Sequence, residues 1–255
     1  QLSAHLERVF PGAVDLFADL DSPIAQALLT RFPSAERAAW LGPRRFEAWL
    51  IGQRYPGRRT GAELHARLVA APAGVTGPEA DPLAAVTLGY VRAIAAVREQ
   101  IGVLETRIAE QLALHPDGTI FTSLPRSGTV RAAALLAEIG DCRERFPTPE
   151  ALACLAGAAP STRQSGQHRA VTFRWACDKK LRDALLDFAE DSRFANEWAA
   201  DIYRRAIERG KRHPHAGRIL ARAWVDVIWR CWQDRVPYDP AKHRALQRLV
   251  LAPAA

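Results

Sequence analysis

Residues 119–182 read TIFTSLPRSGTVRAAALLAEIGDCRERFPTPEALACLAGAAPSTRQSGQHRAVTFRWACDKKLR, and the rest of the chain is understood from them outward. Leu124-Pro125-Arg126-Ser127-Gly128-Thr129 is a short Pro/Gly turn that opens an Ala/Leu-rich segment, Val130 to Ile139, whose composition favours helix. A turn feeding a helix N-terminus directs free backbone N–H groups and the positive end of the helix dipole at one spot, which suits an anion. Gly128 lets the backbone approach a phosphate there, and Arg126, Ser127 and Arg131 supply donors around it. The turn has the form of a helix-hairpin-helix; a plain helix–helix turn without DNA contact is the alternative. A second loop, Pro160-Ser161-Thr162-Arg163-Gln164-Ser165-Gly166-Gln167-His168-Arg169, sets hydroxyls beside arginines. A serine so placed can attack a phosphate, although Ser165-Gly166 also fits an ordinary turn.

Away from this block the pattern is helical. Leu2, Leu6, Val9 and Phe10 share one face, and Ile24, Leu28 and Leu29 another, with Pro11-Gly12, Pro33 and Gly42-Pro43 cutting the segment into short pieces. Asp15, Asp19 and Asp21 suit caps and dipole partners better than a metal site. Residues 70–82 form a Pro/Gly linker. After it Leu83, Tyr90, Ile94, Val97, Ile101, Leu104 and Ile108 follow alternating spacings of four and three, with Thr87 in the one polar gap. That seam predicts a long helix, either amphipathic on its own domain or paired in a coiled coil. Leu181 to Arg209 and Ala216 to Arg235 are helical in period, and Trp198, Trp224, Trp229 and Trp232 on them read as core. No alternating β-rich segment of useful length appears. The expected fold is therefore all-α: a long coiled-coil-like helix followed by a helical domain containing a helix-hairpin-helix-like motif. The divisions fall at 1–82 (a helical connecting region), 83–118 (the coiled-coil helix) and 119–255.

Composition fits a polyanion partner. The chain of 255 residues carries a net charge of +7, and the excess is uneven: residues 1–118 hold 12 Lys/Arg against 13 Asp/Glu, and residues 119–255 hold 23 against 15. The basic half is the half with the two loops. Cys142, Cys154, Cys177 and Cys231 lack the spacing of a zinc site and read as buried thiols of a reducing compartment. No apolar run reaches the ~18 residues of a membrane span, and no membrane partner is expected. With no methionine and Gln1 at its start, the chain reads as part of a longer protein.

The Leu-Pro-x-x-Gly turn, the Ala-x-Leu-Leu-Ala-Glu-Ile-Gly-Asp helix, Arg-Phe-Pro-Thr, Leu-Ala-x-x-Ala-Gly-x-x-Pro-Ser-Thr and then Ser-Gly resemble the C-terminal transposase domain of IS110/IS116/IS902-type transposases, the RNA-guided bridge recombinases. Arg209-Gly210-Lys211 and Pro237-Tyr238-Asp239-Pro240 extend the likeness to about residue 245. Two departures stand out: Arg126 occupies a usual glycine, and Arg174-Trp175-Ala176-Cys177-Asp178 replaces a Lys-x-Gly-Asn segment. The resemblance implies a DNA recombinase that transposes an insertion sequence. Ser165 would be the nucleophile, ahead of Ser161, and would form a phosphoserine link to DNA that a strand 3′-OH resolves. By nearness in sequence, and not by the resemblance, Arg163, Gly166 and Arg169, with Lys179 and Lys180 beyond, are the candidates to cradle the DNA. The resemblance further implies a RuvC-like domain before Gln1 whose four carboxylates hold Mg²⁺, so that no metal site lies within this chain. The implied partners are double-stranded DNA, a guide (bridge) RNA and further copies of the chain joined through the coiled coil, in the bacterial cytoplasm at the nucleoid. The reading from another class is a non-enzymatic helix-hairpin-helix DNA-binding module.

Overall fold

A computed structural model describes residues 1–166 and 168–250, the side chain of Arg169 excepted. The chain divides into two compact units, Gln1–Gly102 and Val103–Ala255.

In the first unit, prolines and polar caps chop an apolar sequence into short helices: α1 (Leu2–Val9), α2 (Pro11–Val14), α3 (Pro23–Arg31), α4 (Ala35–Ala38), α5 (Pro43–Gly52) and α6 (Gly61–Ala70). Ser22 caps α3 through a bond from the Ala25 N–H, and Thr60 with Glu63 forms a capping box on α6. Leu6, Phe10, Leu28, Leu29, Phe32, Phe46 and Leu64 build the core. Asp15, Asp19 and Asp21 serve through their backbone carbonyls, which accept from Arg67, Ser22 and Arg98.

The predicted long helix is α7 (Ala80–Leu114), and the unit boundary falls within it. Its seam has two different halves. Thr87 is fully buried, bonding His5 at 2.9 Å, while Tyr90, Val91 and Ile94 pack on the first unit's core. Val97, Ile101 and Leu104 are instead 60%, 48% and 55% exposed. By length and composition this helix is apolar enough to cross a membrane, with a mean hydropathy of 1.3 over 18 residues, which corrects the expectation that no such run exists. Ala84, Thr87 and Val91 bury part of that surface.

The second unit comprises α8 (Gly118–Thr122), α9 (Gly128–Ile139), α10 (Pro149–Leu155), strands β1 (Ser161–Ser165) and β2 (His168–Thr172), then α11 (Lys179–Ser192), α12 (Glu197–Glu208), α13 (His213–Asp234) and α14 (Arg244–Val250). Asn196 splits the expected 181–209 helix in two, its side chain capping α12 through the Ala199 N–H. Helix α13 runs through the core, and Trp224 and Trp232 are fully buried there with their indole N–H groups on Ser192 Oγ and the Gly140 carbonyl. The indole N–H of Trp229 donates to the Phe146 carbonyl, so the tryptophan set is structural. Tyr238, of the Pro-Tyr-Asp-Pro tail, is buried between Asn196 and His243, bonded to each through its hydroxyl at 3.0 and 2.9 Å. Burial pushes the Tyr238 hydroxyl up and the His243 imidazole down from their ordinary pKa values.

The serine loop is a two-stranded antiparallel ribbon, a departure from the wholly helical expectation. Its first strand is polar on both faces and its second has only Ala170 and Val171, adjacent in sequence, as apolar residues, so no hydrophobic alternation announces it. The excursion is tied at its base: the Ala158 and Ala159 N–H groups donate to the Ala153 carbonyl, and the Asp178 N–H donates to Leu155. Gly157 sits there at φ 64°, where an added Cβ would lie 2.8 Å from Cys177 Sγ, so only glycine lets the two ends of the excursion close.

Candidate functional site at the ribbon and the α9 turn

The turn before α9 holds two residues in the left-handed region, Arg126 at φ 57° and Gly128 at φ 62°. Open space surrounds the Gly128 α-carbon, so its backbone angle, not a close approach, calls for glycine. Arg126 holds the same kind of conformation without that freedom. Its guanidinium donates to Asp191 at 3.0 Å and lies 5.9 Å over the Phe194 ring. Arg131 is bound to Asp187 at 2.5 Å and to Asp191 at 2.6 Å. Hydrogen bonds from Arg126 chiefly, with the charges of both arginines, hold the Asp191 carboxyl below its ordinary pKa, and the bond to Asp187 raises Arg131. Both arginines expected to meet phosphate are thus neutralised within the fold. Ser127 is 1% exposed and its hydroxyl finds no protein partner.

The ribbon differs. Ser165 pairs with His168 across a two-residue bend in which Gly166 takes φ 55°, the conformation that tight hairpins require. Ser165 is exposed at the end of β1. Arg163, two residues back on the same face, is exposed and forms no ion pair among the described residues. His168, directly opposite Ser165, was not singled out in the sequence; the register brings an imidazole to the serine's face. Arg169 pairs by backbone with Gln164, and its side chain lies outside the described residues. Ser161 pairs with Thr172 at the ribbon's other end. Lys179 and Lys180 are the first residues of α11, both exposed, behind the Asp178 cap whose carboxylate accepts from the Lys180 and Leu181 N–H groups. Cations at a helix's positive end oppose its dipole, so an anion there would relieve them.

Residues 118–204 match the model of the transposase IS116/IS110/IS902 family. Over that segment the chain is similar to the family's transposase domain. The IS116/IS110/IS902 match begins at α8, takes in the turn, the ribbon and α11, and ends within α12. The putative mini-circle transposase for IS117 of Streptomyces coelicolor is 29% identical across the whole of this chain and 62% of its own length. An uncharacterized 43.6 kDa protein of insertion element IS110 from the same organism is 33% identical over 64% of this chain and 40% of its own length. An uncharacterized 42 kDa protein of IS900 from Mycobacterium paratuberculosis is 30% identical over 62% and 40%. The chain thus spans between two fifths and just over three fifths of these IS110-family relatives.

One further group was missed in the sequence. At the ribbon's base Phe173, Arg174, His215, Arg218 and Arg222 come together around a cavity. In the sequence they are two clusters about 40 residues apart, and the packing of the start of α13 against the ribbon's base unites them.

Proposed function

We propose that this chain is the serine-bearing part of a DNA transposase that recombines double-stranded DNA to move an insertion sequence. The observation that carries the reading is Ser165: an exposed hydroxyl at the tip of a ribbon anchored to a helical body, with an unneutralised Arg163 on its face and His168 opposite. Its Oγ attacks a phosphodiester phosphorus while the imidazole of His168 accepts the hydroxyl proton. The P–O3′ bond breaks, the departing 3′ oxygen is protonated, and a later attack by a strand 3′-OH releases the serine. Such an intermediate conserves the phosphodiester, and its added oxygen charge is met by Arg163 and by Lys179 and Lys180 at the start of α11. Among the described residues no three His, Cys, Asp or Glu side chains gather to hold an ion. Mg²⁺ belongs, in this proposal, to a carboxylate domain of the full-length enzyme, without which the chain is inactive. The family resemblance supports a guide RNA, action in the bacterial cytoplasm, and assembly of copies through the Val97, Ile101 and Leu104 stripe.

The test is covalent trapping on nicked duplex DNA with the chain in its full-length protein. A protein–DNA adduct that disappears in Ser165→Ala and persists in Ser161→Ala supports the proposal. An adduct retained in Ser165→Ala would move the nucleophile off Ser165, and a salt-sensitive gel shift without any adduct would leave only the non-enzymatic DNA-binding module.

A further inference from the structure

We infer that the base of the ribbon is a seat for one unstacked nucleotide of a DNA strand, with its phosphate held by Arg174 and Arg218 and its base laid on Trp175. The site is a cavity of 390 Å³ between the residues flanking the ribbon and the start of α13. No carboxylate lines it. Of its three arginines only Arg222 is neutralised, by Asp226 at 2.7 Å and Glu150 at 3.3 Å. Arg174 spends two donors on the carbonyls of Ala159 and Pro160, both at 3.2 Å, which fixes the guanidinium and leaves its charge uncompensated. Arg218 forms no ion pair among the described residues and lies 4.9 Å over the Phe173 ring. Desolvation first, then the charges of Arg218 and Lys211, hold the neighbouring His215 below its ordinary pKa. An anion is what this cluster lacks.

The aromatic half of the site adjoins it. Trp175 is 79% exposed and meets Phe173 edge to face at 4.8 Å, so Arg218, Phe173 and Trp175 form one continuous run. Trp224 and Trp232, in the same unit, are by contrast sealed in the core. A flat, solvated indole beside uncompensated guanidinium groups matches a nucleotide, since every base has a π-face and every strand a phosphate. A base within an intact duplex has no free face, so the fit is to a strand whose base has left the stack. Trp175 stands just beyond β2 and Ser165 ends β1, so a strand held at the base lies on the same small excursion as the serine. The inference deepens the DNA reading above, and its test does not depend on the serine.

Anisotropy of a labelled oligo-deoxythymidylate would be measured against the chain, with a blunt duplex and an oligo-uridylate alongside. Trp175→Ala should weaken binding of the single strand about tenfold, and Trp175→Phe should recover most of it. Arg218→Ala should weaken it and lower the salt slope by about 0.7. Lys242→Ala, whose side chain pairs with Asp239, should bind as wild type. Equal binding by wild type, Trp175→Ala and Arg218→Ala would overturn the assignment, as would an equal loss on duplex or a preference for the ribo-oligomer. Strand binding that depends on Trp175 and Arg218 while adduct formation is never seen would sink the serine chemistry and leave this seat standing.

Discussion

Replacing Asp117 by alanine should destabilise the second unit by about 3 kcal/mol, the low end of what breaking a buried ion pair costs. The Asp117 side chain is 6% exposed and that of Arg143 16%, with both guanidinium Nη atoms on the two carboxylate oxygens at 2.5 and 2.6 Å. Arg143 also donates to the Trp232 carbonyl at 3.2 and 3.0 Å and lies 4.9 Å over that indole. Losing the carboxylate therefore strands a charge against the core, but the surviving carbonyl bonds and partial access to water keep the loss near the low end. With a urea dependence of roughly 2–3 kcal/mol per molar, the midpoint should fall by about 1 M, followed through tryptophan fluorescence. Asp117→Ala with Arg143→Leu should lose less than the two single changes together, because removing both charges leaves neither uncompensated. The bond from Arg143 holds the Asp117 carboxyl below its ordinary pKa. The pair's contribution is thus fully present above the unfolded carboxylate value, about 3.9, and disappears as pH falls through the lower folded value. A midpoint within about 0.2 M of wild type, or strict additivity in the double variant, would refute the reasoning.

Other outcomes follow from the same structure. Arg126 spends about 1–2 kcal/mol on its left-handed backbone and makes a half-exposed ion pair of small value. Arg126→Gly should therefore be more stable than Arg126→Ala by about 1 kcal/mol in thermal unfolding, and equal stability would show the turn to be relaxed. Because Asp187 and Asp191 neutralise Arg126 and Arg131, alanine at either should barely alter the salt dependence of duplex binding, while Arg163→Ala should reduce the slope by about 0.9. A full unit of slope lost with Arg126→Ala would return the turn to the DNA footprint. Finally, polar replacement of Val97, Ile101 and Leu104 together should lower the mass seen in sedimentation if copies pair along α7, and an unchanged mass would remove that stripe from the assembly.

What the sequence disclosed and what it withheld have physical causes. Helix α13 and the first half of α7 were legible because their apolar residues repeat at the helical period and meet a core, and α9 because its Ala/Leu-rich composition favours helix. The ribbon was not, since Ser161, Arg163 and Ser165 on one face and Thr162 and Gln164 on the other give neither face an apolar repeat. Its stability lies in the tied base, where Gly157 and Cys177 approach, and not in burial. The fate of the basic residues was also hidden. Arg126 and Arg131 look free in a window of sequence, and their partners lie some 60 residues on; the only local signal was that Asp187 and Asp191 stand four apart on one helical face, ready to receive them.

This redistribution changes where an anion is best held. Local charge counts treat every arginine alike, yet Arg143 is committed to Asp117, Arg131 to Asp187 and Asp191, and Arg222 to Glu150 and Asp226. Arg163, Arg174 and Arg218, which pair with no carboxylate among the described residues, fall on the ribbon or against its base beside Lys179, Lys180 and the exposed Trp175, while other cations without an ion pair, such as Arg193, Arg209 and Arg230, lie on helices or at their ends. Since an already paired guanidinium must give up a carboxylate before it gains a phosphate, the free set binds at lower cost. An anion is therefore met at lower cost at the ribbon that carries Ser165 than at the α9 turn, where Arg126 and Arg131 are already paired.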